Sequence, residues 1–204
     1  EVLPYVDEWE KKKTFPRDLY AKAGREGFLG LGYPKSLGGT PVDFFHDVIF
    51  TEEIIRGGSV GLASSLGSGS IGLPPVLALG TDQQKQKYIP KLATGEWFGA
   101  YCLTEPGAGS DANSGKTTAT LSEDGKSYKI NGQKMWISNA GFCKLMIVFA
   151  RIEKDKNITG FIVEFDKDKP NGITLGEEEH KLGIRSSSTR QVFFTDTVVP
   201  VENM

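Results

Sequence analysis

After Gly95 the chain changes its hydrophobic period, and that change limits the fold more than any other feature. Upstream, apolar residues recur at helical spacing. Pro16 stands where a first helical turn tolerates it, with Asp18, Leu19 and Ala23 behind it and Gly27 as a stop. Pro41 opens a second stretch in which Phe44, Phe45, Val48, Ile49 and Ile55 repeat at helical spacing before Gly57-Gly58 ends it. Thr81-Asp82-Gln83-Gln84 reads as a capping box: the Thr81 hydroxyl accepts from the Gln84 amide, and the Gln84 side chain reaches back. Pro90 is expected to kink or end the helix that follows.

Downstream the signal is one of short strands. Residues 97–104, 116–121, 127–130, 135–138, 145–151, 158–165 and 191–199 are rich in aromatic and β-branched side chains. Turn signals stand between them: Glu123-Asp124-Gly125, Asn131-Gly132, Asn157 and Asn171-Gly172. The expected fold is therefore α+β and multidomain. An N-terminal all-α helical domain, residues 1–94, precedes a small antiparallel β-barrel or sandwich domain, residues 95–204, with the join near Thr94 to Trp97.

Composition removes several classes of function. Lys and Arg number 24 against 26 Asp and Glu, a formal charge of −2, which lacks the cation excess that a phosphate backbone requires, so no nucleic-acid partner is expected. Two cysteines, Cys102 and Cys143, make no disulfide scaffold and suit a reducing compartment. A cytoplasmic location is expected, or the mitochondrial matrix if a transit peptide has been removed. His46 and His180 are far apart and near no Cys pair, so no metal site is expected. The uncharged run from Gly57 to Thr81 has the length to span a bilayer. Ser64, Ser65, Ser68, Ser70 and Pro74-Pro75 within it argue instead for close helix packing in a globular domain, with no membrane span. Glu1 in place of an initiating Met points to sequence upstream of it.

Three segments can carry chemistry. Tyr101-Cys-Leu-Thr-Glu-Pro-Gly-Ala-Gly-Ser-Asp111 ends a strand in a glycine-rich loop with hydroxyls at Thr104 and Ser110, suited to an anion or the polar edge of a ring, though a plain connection has the same composition. It has neither the Lys of a Walker loop nor the spacing of a dinucleotide fingerprint. Asn131-Gly-Gln-Lys-Met-Trp-Ile-Ser-Asn139 places Trp136 beside Ser138. A Trp so placed can wall a flat heteroaromatic ring, but taken alone it reads better as a core residue. Lys181 to Arg190 gathers cations and hydroxyls before a strand, as a phosphate site or a solvated turn would.

Taken in order, these segments resemble the acyl-CoA dehydrogenase family. The likeness continues through Gly160-Phe-Ile-Val163, Lys181-Leu-Gly-Ile184, Ser188-Thr189, Val192-Phe-Phe194 and Val199-Pro-Val-Glu-Asn203. Upstream it includes Gly27-Phe-Leu-Gly-Leu-Gly32, Leu37-Gly-Gly39, Thr51-Glu-Glu53, Gly80-Thr-Asp-Gln-Gln-Lys85 and Gly95-Glu-Trp97, so it covers essentially the whole chain. The resemblance implies FAD as cofactor, held by Tyr101, Cys102, Leu103, Thr104, Gly109 and Ser110 and by Trp136, Ile137 and Ser138, with Ser110 also near the CoA arm of the substrate. Members of the family often carry Thr at the position of Ser138, and either residue keeps the hydroxyl.

The implied reaction is α,β-dehydrogenation of an acyl-CoA thioester: a carboxylate removes the α proton while the β hydrogen leaves as hydride to flavin N5. Fatty acid β-oxidation, an electron-transfer flavoprotein as electron acceptor, and a dimer or tetramer are implied with it. In this family the catalytic carboxylate belongs to a C-terminal helical domain expected after Asn203, so the chain is expected to be part of a longer protein and no catalytic residue is assigned within it. Glu105 is a carboxylate in the right neighbourhood, but its place in the motif implies loop structuring. The alternatives are an acyl-CoA oxidase or flavin monooxygenase on the same fold, and a non-catalytic binding module.

Overall fold

The computed structural model describes residues 2–69, 71–153 and 155–204, with the side chains of residues 68 and 69 undescribed. Ser70 and the side chain of Ser68 in the small-residue run thus fall outside the described residues. Two compact units divide the chain: residues through Gly99 together with His180–Ser188, and Ala100–Glu179 together with Thr189–Met204. A single boundary near residue 95 misses the return of His180–Ser188 to the first unit. The reason is local: the carboxylate of Glu10 accepts from the amides of Arg185 (2.7 Å) and Ser186 (3.2 Å) and from the Ser186 hydroxyl (2.5 Å).

The first unit is helical: α1 (Val6–Lys12), α2 (Asp18–Arg25), α3 (Phe44–Arg56), α4 (Val60–Gly69), α5 (Leu73–Leu79) and α6 (Asp82–Ala93). Pro16 lies just outside α2 rather than in its first turn. In α6, Gln84, Tyr88, Ile89, Leu92 and Ala93 are buried, which is the stripe that a 3.6-residue period projects onto one face. Its capping box forms: the Thr81 amide donates to the Gln84 side chain at 2.8 Å, and the Gln84 amide to the Thr81 hydroxyl at 3.2 Å. Replacing Thr81 with Ala should cost about 1 kcal/mol of stability, read as a lower thermal midpoint with an unchanged fold. Pro90 does not end α6 where it stands. The helix runs on to Ala93, and the Pro90 carbonyl takes both the amide (3.1 Å) and the hydroxyl (2.9 Å) of Thr94.

The small residues of α4 permit close approach: a Cβ on Gly61 would lie 2.0 Å from the Ser186 hydroxyl oxygen. The predicted apolar positions of α3 do lie on a helix, yet Phe44, Phe45 and Ile49 are exposed in this chain. Among the described residues, no helix is long and apolar enough to cross a membrane.

The second unit is a curled sheet of β1 (Gly99–Cys102), β2 (Thr118–Leu121), β3 (Ser127–Ser138), β4 (Leu145–Ile152), β5 (Thr159–Glu164), β6 (Ile173–Leu175) and β7 (Thr189–Pro200). The spatial order is β1-β4-β2-β3-β7-β6, with β5 on β4. The sheet is mixed rather than purely antiparallel, because β2 runs parallel to β4 at Thr118–Arg151. Ala100, Ala119, Ile130, Ile137, Val148, Phe161, Val163 and Val192 fill the core.

Asn131-Gly132 is not a hairpin turn. Residues 127–138 form one long strand paired with β7, and opposite Asn131-Gly132 it is β7 that bulges, with Asp196 at φ +48°. The Asn131 side chain there accepts from the Asp196 amide (2.8 Å) and donates to the Asp196 carboxylate (3.0 Å). β6 was missed by sequence because its three residues are too few for a period to register.

Candidate functional site

The loop that leaves β1 is built around a buried ion pair. Glu105 is 7% exposed and Lys134 1%. Lys134 Nζ donates to Glu105 Oε1 at 2.8 Å and to the Leu103 carbonyl at 3.1 Å. The same carboxylate accepts from the amides of Lys116 (2.6 Å) and Thr117 (3.0 Å), where the loop returns to the sheet. Burial pushes the Glu105 carboxyl up, but the bonds from Lys134 and from the amides of Lys116 and Thr117 outweigh it and hold it below its ordinary range. An ionised carboxylate with its oxygens so engaged is a structural anchor, in keeping with its expected loop-structuring role.

Between these anchors the chain turns tightly. The amides of Glu105 and Ala108 each bond the other's carbonyl at 3.1 Å, with Pro106 and Gly107 at the tip. The Thr104 carbonyl accepts from the Met135 amide at 2.9 Å, which ties the loop to β3. Among the described residues, no protein group bonds the N–H or the hydroxyl of half-buried Thr104. Farther along, Arg151 donates to the Asn113 carbonyl and, at 2.9 Å, to that of Asp155, which pins the far end of the loop.

β3 supplies the second half of the site. Inward-facing positions in this strand run Ile130, Lys134, Ile137, an interval of four and then of three. The odd interval reflects a bulge between Lys134 and Ile137, which inverts the alternation after it. Strict alternation would have buried Trp136 on the same face as Lys134. The bulge instead gives it φ +59° and leaves it 61% exposed. Reading Trp136 as a core residue is therefore wrong, and the cause is one extra residue in the strand. A left-handed, exposed Trp costs about 1–2 kcal/mol in backbone strain and returns little burial, a combination typical of ligand-binding positions.

The other sequence-predicted residues sort by side chain and backbone. Cys102 and Ile137 are core residues, so only their backbones are available to a ligand. Burial pushes the Cys102 thiol well up, so it stays neutral. Tyr101 is half-buried, its ring 5.1 Å from that of Phe149. Leu103 and Thr104 are half-buried, Gly109 and Ser110 are exposed, and Ser138 is half-buried opposite Thr189 of β7. A cleft of about 290 Å³ lies between the Glu105–Gly107 turn, Lys116–Thr117 and Gly132–Gln133, and none of the predicted residues lines it.

The Lys181–Arg190 segment is not a cluster of free cations. Arg190 pairs with Glu178 at 2.9 Å, Lys181 donates to the Ser187 carbonyl, and Ser186 to Ser188 are buried. Lys134, the buried partner of Glu105, is the residue of this loop that motif reading passed over. Its signal was present as a lysine four residues after Ile130, on the inward face of a strand.

Residues 1–96 match the N-terminal domain of acyl-CoA dehydrogenases and residues 100–197 their middle domain. A probable acyl-CoA dehydrogenase of Bacillus subtilis (strain 168) is 42% identical over all of this chain, which spans 34% of that protein. An acyl-CoA dehydrogenase of Bacillus anthracis, solved in complex with FAD, superposes with a TM-score of 0.89 at 40% identity, covering 100% of this chain and 34% of its own. Butyryl-CoA dehydrogenase from Megasphaera elsdenii superposes with a TM-score of 0.90 at 35% identity, covering 100% of this chain and 54% of its own. The chain thus spans a third to a half of the length of these relatives. On two successive domain matches and on likeness along its whole length, the chain belongs to the acyl-CoA dehydrogenase family.

Proposed function

We propose that the protein containing this chain dehydrogenates acyl-CoA thioesters between the α and β carbons with FAD as its redox group. In this reading Leu103–Thr104, Gly109–Ser110 and Trp136–Ser138 are this chain's share of the FAD site. The observation that carries it is Trp136, held out of the core in a left-handed conformation by a strand bulge, next to a loop stitched to the same strand. The donor set fits a flavin. The N–H and hydroxyl of Thr104 lack protein partners among the described residues, the Ser138 hydroxyl is half-buried, and a Cβ on Gly107 or Gly109 would meet nothing, so the loop is open to a ligand. Membership of the family and the FAD complex of the Bacillus anthracis relative support the same assignment.

When bound, FAD supplies a hydride acceptor. The chain's own residues bind and orient. Thr104 offers an N–H and a hydroxyl to the polar edge of a flat ring, Trp136 covers a ring face and excludes water, and Ser138 contributes a hydroxyl beside it. Ser110, exposed at the end of the glycine loop, is the residue this reading gives to the CoA arm of the thioester. The α-proton requires a carboxylate base, and Glu105 does not serve, because Lys134 and two amides already engage its oxygens. An electron-transfer flavoprotein as electron acceptor and assembly into a dimer or tetramer complete the reading.

Replacing Trp136 with Ala, and Ser138 with Ala, tests the assignment. Each should weaken FAD retention, the Trp change by about tenfold or more, and shift the flavin absorption bands. Unchanged affinity and spectrum in both variants would place the flavin elsewhere.

A further inference from the structure

The buried ammonium of Lys134 does more than neutralise Glu105. It donates to the carbonyl of Leu103 at 3.1 Å. That carbonyl and the N–H of Thr104 are the two ends of one peptide group, and the N–H end has no protein partner among the described residues. A cation on the oxygen draws electron density along the amide and makes the opposite N–H a stronger donor, an effect amplified where water is excluded. Lys134 is 1% exposed, so its charge is little screened by solvent.

Geometry is set by the same side chain. One residue farther along β3, the Met135 amide bonds the Thr104 carbonyl at 2.9 Å, and the next residue is Trp136. Glu105, the other partner of Lys134, fastens the returning chain at Lys116 and Thr117. The Leu103–Thr104 peptide is therefore clamped to the strand that presents the Trp, by a cation at one carbonyl and an amide at the next.

We infer that Lys134 is a positioning and polarising residue for the ligand-binding peptide Leu103–Thr104, acting through that peptide on the polar edge of the flavin. The inference rests on the proposed FAD site. It assigns to a buried lysine a contribution to how strongly the flavin is held and to the flavin's electronic spectrum.

The test uses the protein expressed from its complete gene, stripped of flavin and titrated with FAD. Lys134→Met is made in a Glu105→Gln background. The Gln carbonyl keeps one of the two amides that Glu105 holds on separate oxygens, and the double variant buries no uncompensated charge. Glu105→Gln alone, which removes the counter-ion but keeps the Lys134 amine against the Leu103 carbonyl, is the reference, and the unsubstituted protein is titrated beside it. Lys134→Gln, which keeps a donor but loses the charge, is the second variant. Relative to the reference, Lys134→Met should bind FAD about tenfold more weakly, the loss expected for one charge-assisted hydrogen bond. At saturating FAD its absorption bands should be displaced. Lys134→Gln should fall between, and Lys134→Arg should restore the bands.

A purely structural lysine would lower the thermal midpoint but leave the saturated spectrum in place, and that result overturns the inference. So does unchanged affinity and spectrum in Lys134→Gln, the variant least disturbing to the fold. Failure of the unsubstituted protein to take up FAD would instead overturn the functional reading on which the inference stands.

Discussion

Replacing Glu105 with Leu should destabilise the β unit by about 3–5 kcal/mol, the largest single effect expected in this chain. The cost is mainly what the substitution leaves behind. The Lys134 ammonium stays buried with only the Leu103 carbonyl to receive it, and the amides of Lys116 and Thr117 lose their acceptor. A Glu105→Leu, Lys134→Met double variant should recover part of the loss, because it removes the unpaired charge while leaving the two amides unsatisfied. Urea unfolding of both variants checks this, and equal losses in the two would show that the charge is not the cause.

The same carboxylate gives a pH signature. Its folded-state pKa lies below the ordinary 4.5, so the unfolded chain takes up the proton first as pH falls. The stability that this depressed value contributes is fully present above about pH 4.5 and is lost as pH drops through the folded value. Between about pH 6 and about pH 3 the wild-type midpoint should therefore fall more steeply than that of Glu105→Gln.

Gly132→Ala ranks second. A Cβ there would lie 2.4 Å from the Thr117 hydroxyl oxygen and 2.8 Å from the Thr117 Cα, at φ +154°. A side-chain rotation relieves the first contact, but only movement of β3 away from Thr117 relieves the second. A loss of about 3 kcal/mol is expected, at the upper end for overpacking by one methyl group. Because Thr117 also carries one of the amides on Glu105, the change should loosen the loop as well as the strand. Thermal unfolding measures the loss, and a variant as stable as wild type would mean that β3 yields at this bulge at little cost.

The division into helices and strands was legible because hydrophobic period is a local property, and α6 shows it in full: capping box, buried stripe and length are all readable between Thr81 and Ala93. What escaped reading was non-local. Asn131-Gly132 has the composition of a hairpin turn, but β7 pairs along both sides of it and takes up the register shift in a bulge of its own. Trp136 has the composition of a core residue, but a second bulge reverses its face. The return of His180–Ser188 to the first unit depends on Glu10, some 175 positions away in sequence. Motif resemblance found the loop and the Trp strand without showing why they belong together. The reason is Lys134, whose two hydrogen bonds join residues 29 and 31 positions distant.

In the proposed function, the Leu103–Ser110 loop and the Trp136–Ser138 bulge hold a flavin used on acyl-CoA. The most direct measurement is the visible absorption spectrum of the protein purified from its complete gene, before and after anaerobic addition of an acyl-CoA. Flavin bands that bleach on addition of the thioester are expected. A colourless protein that takes up no FAD on incubation would contradict the proposed function.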